Sequence, residues 1–386
     1  MNDNANTLME DNDLSENKSG KNVLIPILII LVLIALGVCA FAMFTSTQNQ
    51  KQEAQNQGSS AQQKTQEEEV ELDESDELTP GETDLSTHLG DVALKQAGDY
   101  TLTGELQNGA VIIDSDGEVN VKFSNTTISN GDTSGIIVLN ASSAKLDFVG
   151  QNSVSDGGYS QYDGAIFSAI PLNITMSEGG SLKVYGNQED GEGIATKNQP
   201  ITIDAGNGEI YVESEDDGIN IGGDGALLKI ISGNITINAG GDGIDSNDTA
   251  EIDGGTIIVY GSAAGGNAAI DTDNGYTING GRVYAFGSDM LEEPQKSSTQ
   301  TTAIFQFESA GEKGESFKIE TNNGATEITT LQGYKNLIIS EPNLSSVKLS
   351  YDNTNISIDG VTDFEISNTN YYFGQDNRDK NEPKQR

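Results

Sequence analysis

Asp217-Gly218-Ile219-Asn220 and Asp242-Gly243-Ile244-Asp245 are two copies of one turn, 25 residues apart. The Gly-Ile pair at their centre also stands at Gly135-Ile136 and Gly193-Ile194. Ala269-Ile270 is a late variant, and Gly164-Ala165-Ile166 and Gly109-Ala110-Val111 are looser copies. From Gly109 the successive steps are 26, 29, 29, 25, 25 and 26 residues. A period of that size arises when each repeat is one supersecondary unit stacked on the next, so the chain is expected to be a solenoid.

The residues after each Gly-Ile select the kind of solenoid. A polar turn leads to a short alternating strand such as Ile201-Thr202-Ile203-Asp204, then a glycine corner, then a second strand. The second strands read Leu182-Lys183-Val184-Tyr185, Ile210-Tyr211-Val212-Glu213, Ile235-Thr236-Ile237-Asn238, Ile257-Ile258-Val259-Tyr260 and Val283-Tyr284-Ala285-Phe286. Period-2 apolarity marks half-buried strands, and no window here has a 3.6 period. Gly-Gly, Gly-Asn and Asp-Gly pairs supply corners with positive φ. About three short strands per coil and no helical half-repeat favour an all-β, right-handed parallel β-helix over leucine-rich, ankyrin or helical repeats.

Outside the repeats, Val23 to Phe44 is an uncharged run of 22 residues, long enough at about 1.5 Å per residue to span a ~30 Å hydrocarbon core. Lys18 and Lys21 precede it, which predicts a cytoplasmic tail over 1–22, one transmembrane helix over 23–44 and an extracellular remainder. A cleaved signal peptide is the competing reading, since Ala40-Phe41-Ala42 resembles a small-x-small site; a lipobox reading fails at Val38. Residues 45–88 turn to Gln, Asn and Ser and then to acids, which predicts a disordered stalk or, alternatively, an acidic docking tail. The β-helix is expected over 89–302, a β-rich C-terminal cap over 303–374 and a disordered tail over 375–386.

Inventory removes several chemistries. Cys39 is the only cysteine and lies in the apolar run, and His88 is the only histidine. Disulfides, thiolate or histidine metal sites and Ser-His-Asp catalysis are excluded. A formal charge of −40, with no Lys/Arg cluster to offset it, excludes nucleic acid as a partner. An acidic polysaccharide is acceptable only with divalent cations between the two.

The acids of the repeats fall in columns. Registered on Gly-Ile, Asp217, Asp242 and Asn267 align; Asn220, Asp245 and Asp271 form a second column, and Gly222, Asn247 and Asp273 a third. Neighbouring coils lie ~4.8 Å apart, so like charges stack. Raised carboxyl pKa values relieve this, and so does a hard cation with oxygen ligands, for which Asp216, Asp217, Asn220, Asp242, Asp245, Asp271 and Asp273 suit Ca²⁺. Solvated turn residues are the plainer alternative. Gly240-Gly241-Asp242-Gly243-Ile244-Asp245 is not the calcium nonapeptide, whose tandem is shorter, and Asp271-Thr272-Asp273-Asn274-Gly275 lacks the flanking helices of an EF-hand. If the second strands bury Val184, Val212 and Val259, then Tyr185, Tyr211, Tyr260, Tyr284 and Phe286 face solvent, an aromatic row suited to sugar rings or simply to strand propensity.

The turns Asp216-Asp217-Gly218-Ile219-Asn220, Gly241-Asp242-Gly243-Ile244-Asp245-Ser246-Asn247 and Gly266-Asn267-Ala268-Ala269-Ile270-Asp271-Thr272-Asp273 resemble the bacterial carbohydrate-binding domain-containing proteins. These are secreted or surface-anchored right-handed β-helices related in shape to polysaccharide lyases. Gly287-Ser288-Asp289-Met290, Ser297-Ser298-Thr299-Gln300 and Leu337-Ile338-Ile339-Ser340-Glu341-Pro342-Asn343-Leu344 are similar to that family's C-terminal portion, so the resemblance covers about Asp91 to Gly374. It implies calcium in the acidic turns and affinity for plant-type or acidic polysaccharide. The wider-spaced, acid-poor first coils depart from it. The expectation is a surface-anchored, calcium-dependent polysaccharide-binding protein. The alternatives are a calcium-dependent uronate lyase using Lys197, or else Arg282, as base, and a structural adhesin or spacer.

Overall fold

The computed structural model describes residues 75–158, 161–223, 225–351, 354–359 and 369–374. The expected cytoplasmic tail, the span over 23–44, most of the stalk and the tail after 374 lie outside the described residues. Among the described residues no helix is long and apolar enough to cross a membrane, and a 3-10 turn over Leu85–Thr87 is the helical element.

The chain coils into a parallel β-solenoid with two long sheets. The nine-stranded sheet holds the Gly-Ile strands and forms the first face. Its inward column is Val92, Val111, Ile136, Ile166, Ile194, Ile219, Ile244 and Ile270, partners in register from coil to coil. All eight are buried, so the repeat is the hydrophobic stack read in sequence. The fifteen-stranded sheet is divided lengthwise by left-handed corners at Gly104, Asn125, Gly150, Gly179, Gly206, Gly233, Gly255 and Gly281. Ile201–Ser214 crosses this line with a shift of register between Ile203 and Glu209, whereas its neighbour breaks into Leu172–Thr175 and Gly180–Gly186. The halves before and after the corner are the second and third faces.

The glycine of each Gly-Ile has a steric reason. A Cβ on Gly218 would run into Ile237 and the Gly243 carbonyl, and one on Gly243 into Val259 and the Ala269 carbonyl. Ala269 is tolerated in the last coil because Ala285, the register partner of Val259, stands across from it.

One boundary moves. The stalk expected through residue 88 ends sooner, because Asp76–Glu77 pairs with Val92–Leu94 and Gly81–Asp84 with Gly98–Gln107. Leu78 and Leu85, the apolar residues of that polar stretch, are buried. The cap is mostly antiparallel rather than a continuation of the coils, with one parallel pair between Thr302–Gly311 and Thr369–Gly374. Tyr334–Ser340 covers the edge strand Arg282–Gly287, and Thr302–Gly311 pairs with Tyr334–Ser340 in turn. Gly324–Thr329, Ser316–Thr321, Ser346–Tyr351 and Thr354–Asp359 make a separate four-stranded sheet. Tyr334–Ser340 thereby closes the third-face backbone edge that the last coil leaves open.

Candidate functional site

The acidic ladder runs along the corner where the third face turns into the first. Asn220, Asp245 and Asp271 are register partners, as the spacing predicts. The column before the glycines is Asp217 and Asp242, but Ala268 occupies its third place, since Gly218 N donates to Asp242 O and Gly243 N to Ala268 O. Asn267, expected there, is displaced because the pivot of the last coil is Ala269, not Ala268.

Two of the aspartates hold the coils together. Asp217 Oδ1 accepts from the Asp242 amide at 2.6 Å, and Asp242 Oδ1 accepts from the Ala268 amide. Asn220 Nδ2 bridges Glu192 Oε1 at 2.9 Å and Asp217 Oδ2 at 3.1 Å. Asp216 and Asp217 both lean over Gly241, where a Cβ would meet an oxygen of each. Asp245 and Asp271 are half-buried and Asp273 is exposed.

Burial dominates the titration of this corner. It pushes Asp217 up to about 7, helped by Asp216, Asp242 and Asp245 and opposed by the Asp242 amide. It pushes Asp242 to about 6, with Asp271 and Asp245 adding to it against the Ala268 amide. Asp245 also reaches about 6 through burial, Asp271 and Asp273. Asp216 is raised by burial, Asp190 and Asp163.

A column begun at Asp217 leaves out Glu192, although Glu192-Gly193-Ile194 repeats the Asp217-Gly218-Ile219 pattern one coil earlier. Glu192 Oε2 is buried without a donor, and burial, with the neighbouring Asp163 and then Asp217, pushes the Glu192 carboxyl far up. Two carboxyls in contact stay together only while one carries a proton or a cation stands between them. Glu292 closes the far end, accepting from Thr272 N at 2.7 Å and Thr272 Oγ1 at 2.6 Å. Among the described residues no group of three or more His, Cys, Asp or Glu side chains is placed to hold a metal ion.

The aromatic row divides. Tyr185 and Tyr211 remain partly exposed, with ring centroids 6.4 Å apart at 61°, and Tyr211 Oη donates to Glu213 at 2.9 Å. Tyr260, Tyr284 and Phe286, expected to face solvent, are instead buried under the cap. Tyr260 stacks on Phe286 at 5.3 Å, and Phe286 packs against Phe317 and Tyr334. The Tyr260 hydroxyl donates to Thr329 O at 3.1 Å and that of Tyr284 to Glu341. Alternation does put these side chains outside the solenoid core, but a second layer covers that side. Lys197 is exposed on the first face in register with Gly222, whereas Arg282 begins the third-face strand Arg282–Gly287. The structure does not bring them into one site.

A family model described as carbohydrate-binding domain-containing protein matches residues 89–370, and the chain belongs to that family. No curated protein matches the chain. A solved structure, the gadolinium derivative of a polysaccharide lyase-like protein from C. thermocellum, is similar over 54% of this chain and 88% of its own, with 21% identity and a TM-score of 0.42. Likeness of that degree carries no argument about activity.

Proposed function

We propose that this member of the carbohydrate-binding domain-containing family is a surface-displayed protein that binds polysaccharide in a calcium-dependent way. The observation that best supports calcium is the stack of Asp217, Asp242 and Asp245, which burial and neighbouring carboxylates push to between about 6 and 7. The donor set is hard oxygen throughout, and the orphaned Glu192 Oε2 is a further group in want of a proton or a cation. Asp216, Asp245, Asp271 and Asp273, the second oxygens of Asp217 and Asp242 and the amide oxygen of Asn220 would supply oxygen donors to Ca²⁺ held between successive coils, no single ion taking all of them, with turn carbonyls and water completing six to eight ligands at each ion. A bound Ca²⁺ supplies positions for sugar hydroxyl or carboxylate oxygens. Tyr185 and Tyr211 offer the exposed rings on which a sugar face stacks. The apolar run over 23–44 would tether the protein with its solenoid outside the cell.

Polysaccharide pull-down and calorimetry, each with calcium and with EGTA, test this reading. Calcium is expected to raise both binding and melting temperature. Binding and melting that are both indifferent to EGTA rule the calcium reading out. Following the same incubations for unsaturated products, with Lys197→Ala as control, tests the lyase alternative.

A further inference from the structure

On the second face the outward side chains of successive coils form a row. Asn120 pairs in register with Lys145, Lys145 with Asn173, and Asn173 with Thr202. Two adjoining cavities, of about 500 and 360 Å³, open onto this row, and Lys145 borders both. Nearby carboxylates are engaged by other groups. Asp147 accepts from Thr175 and Ser177, Asp99 and Glu118 from Asn120, and Asp204 from Ser232. Lys122 is joined to Glu178 at 3.0 Å, and Lys229 to Glu251 and Asp253 at 2.8 Å. Of the three lysines on this face, Lys145 is the one with no ion pair or hydrogen bond among the described residues, its charge acting on Asp147 only at longer range. Asn173 Nδ2 is tied back to Ala144 O, which leaves its amide oxygen as an acceptor, as the bonds of Asn120 Nδ2 leave that of Asn120.

One side chain on this polar face is out of character. Ile231 is 38% exposed and lines the smaller cavity. It is the extra residue of a bulge, because Ile203 pairs with Ile230 but Asp204 with Ser232. Bulges re-aim side chains, and this one turns an aliphatic group outward beside a row of hydrogen-bonding groups.

At intervals of ~4.8 Å the row therefore offers an acceptor, a donor, an acceptor and a hydroxyl, with an apolar contact at its end. A sugar chain carries the complementary set: hydroxyls that both donate and accept, and a C–H face. An extended β-1,4-linked chain advances per sugar by a distance close to the coil spacing, so consecutive sugars meet consecutive coils. Asp99, Glu118, Asp147 and Asp204 outnumber the one free ammonium, which disfavours a polyanion and leaves a neutral chain unopposed. We propose that this groove is a second, calcium-independent subsite for neutral, extended β-1,4-linked glycan, with Lys145 donating to a sugar hydroxyl and Ile231 lying against a C–H face. The inference rests on the carbohydrate-binding reading and adds a site on a different face from the acidic corner.

Titration of the full-length protein with neutral β-1,4-linked hexaoses of glucose, mannose and xylose in EGTA reads this groove. Polygalacturonate in calcium reads the acidic corner in parallel. At least one hexaose is expected to bind, and both Ile231→Asp and the pair Lys145→Ala with Asn173→Ala are expected to weaken it about tenfold without lowering the melting temperature. Polygalacturonate binding without hexaose binding overturns the groove and leaves the family-level reading standing, as does hexaose binding indifferent to both variants. Failure of every glycan to bind overturns both.

Discussion

Along the first face, the earlier and the later coils share one interior and differ in what they turn outward. The inward column is isoleucine or valine from Val92 to Ile270 and is buried throughout. The next column, pointing the other way, reads Ala93, Ile112, Ile137, Phe167 and Ala195, and then changes to Asn220, Asp245 and Asp271 without a break in register. Stacking constrains only the inward column, because each coil must fill the space its neighbours leave. In the earlier coils the outward column is itself apolar and buried, and it becomes polar and then acidic where the spacing tightens to 25 residues. The fold belongs to the shared column and the candidate site to the one that changes.

Breaking the shared column should have the largest effect. Gly218→Ala or Gly243→Ala forces a methyl against a third-face core side chain and the next coil's carbonyl, and should cost about 3 kcal/mol. Ala269→Gly, at the matching position opposite Ala285, should cost only about 1 kcal/mol, mostly chain entropy. Urea unfolding of the three variants measures the difference, and Gly243→Ala should recover part of its loss when combined with Val259→Ala. Equal costs at Gly243 and Ala269 would remove the steric account of the repeat.

A second comparison lies within the aromatic row. Phe286→Ala empties a site packed between Tyr260, Phe317 and Tyr334 and should cost about 3 kcal/mol or more. Tyr185→Ser with Tyr211→Ser should change stability by less than about 1 kcal/mol while weakening polysaccharide binding. Calorimetry and a binding isotherm separate the two outcomes, and a Tyr185/Tyr211 pair that binds like wild type removes the stacking platform.

That row also marks how far the sequence could be read. Coil register was legible because the Gly-Ile spacing and the steric demand at Gly218 and Gly243 repeat together. Glu192 was legible by the same pattern, since it precedes Gly193-Ile194 as Asp217 precedes Gly218-Ile219. The burial of Tyr260, Tyr284 and Phe286 was not, because period-2 alternation assigns a side to each residue but does not say what lies on that side. The cap that covers them comes from residues more than forty positions later in the case of the Tyr284–Thr326 contact, and no local periodicity carries that pairing. The groove at Lys145 was hidden for a related reason: its row is assembled across coils whose outward residues share no motif.

Protonation sharpens the contrast between acidic and apolar coils. A carboxyl with a higher pKa in the folded chain than in the unfolded one supports folding while protonated, and that support is lost as pH rises through the folded value. Asp217, at about 7, and Asp242 and Asp245, at about 6, all stand above the ordinary 3.8. In EGTA the melting temperature should therefore fall between about pH 4 and pH 8, by an amount corresponding to a few kcal/mol. Asp242→Asn with Asp245→Asn should flatten the profile, and calcium should restore stability at the alkaline end. A flat profile for the wild-type protein in EGTA would show that neither burial nor mutual repulsion raises these carboxyls in the folded chain.

The smallest expected effect has the most informative sign. Asp271 raises the carboxyls of Asp242 and Asp245 through its charge, yet among the described residues it holds no backbone amide as Asp217 and Asp242 do. Without metal, Asp271→Ala removes repulsion and should stabilise by a few tenths of a kcal/mol, about what a like-charge pair costs. With calcium it removes a ligand, so the same substitution should lower the melting temperature relative to wild type, because a cation bound only by the folded coils stabilises by mass action. A turn residue that is merely solvated predicts one sign in both conditions. Paired thermal melts of Asp271→Ala in EGTA and in excess calcium distinguish the two, and the absence of a reversal would remove Asp271 as a calcium ligand and leave Asp217 and Asp242 as ties between coils.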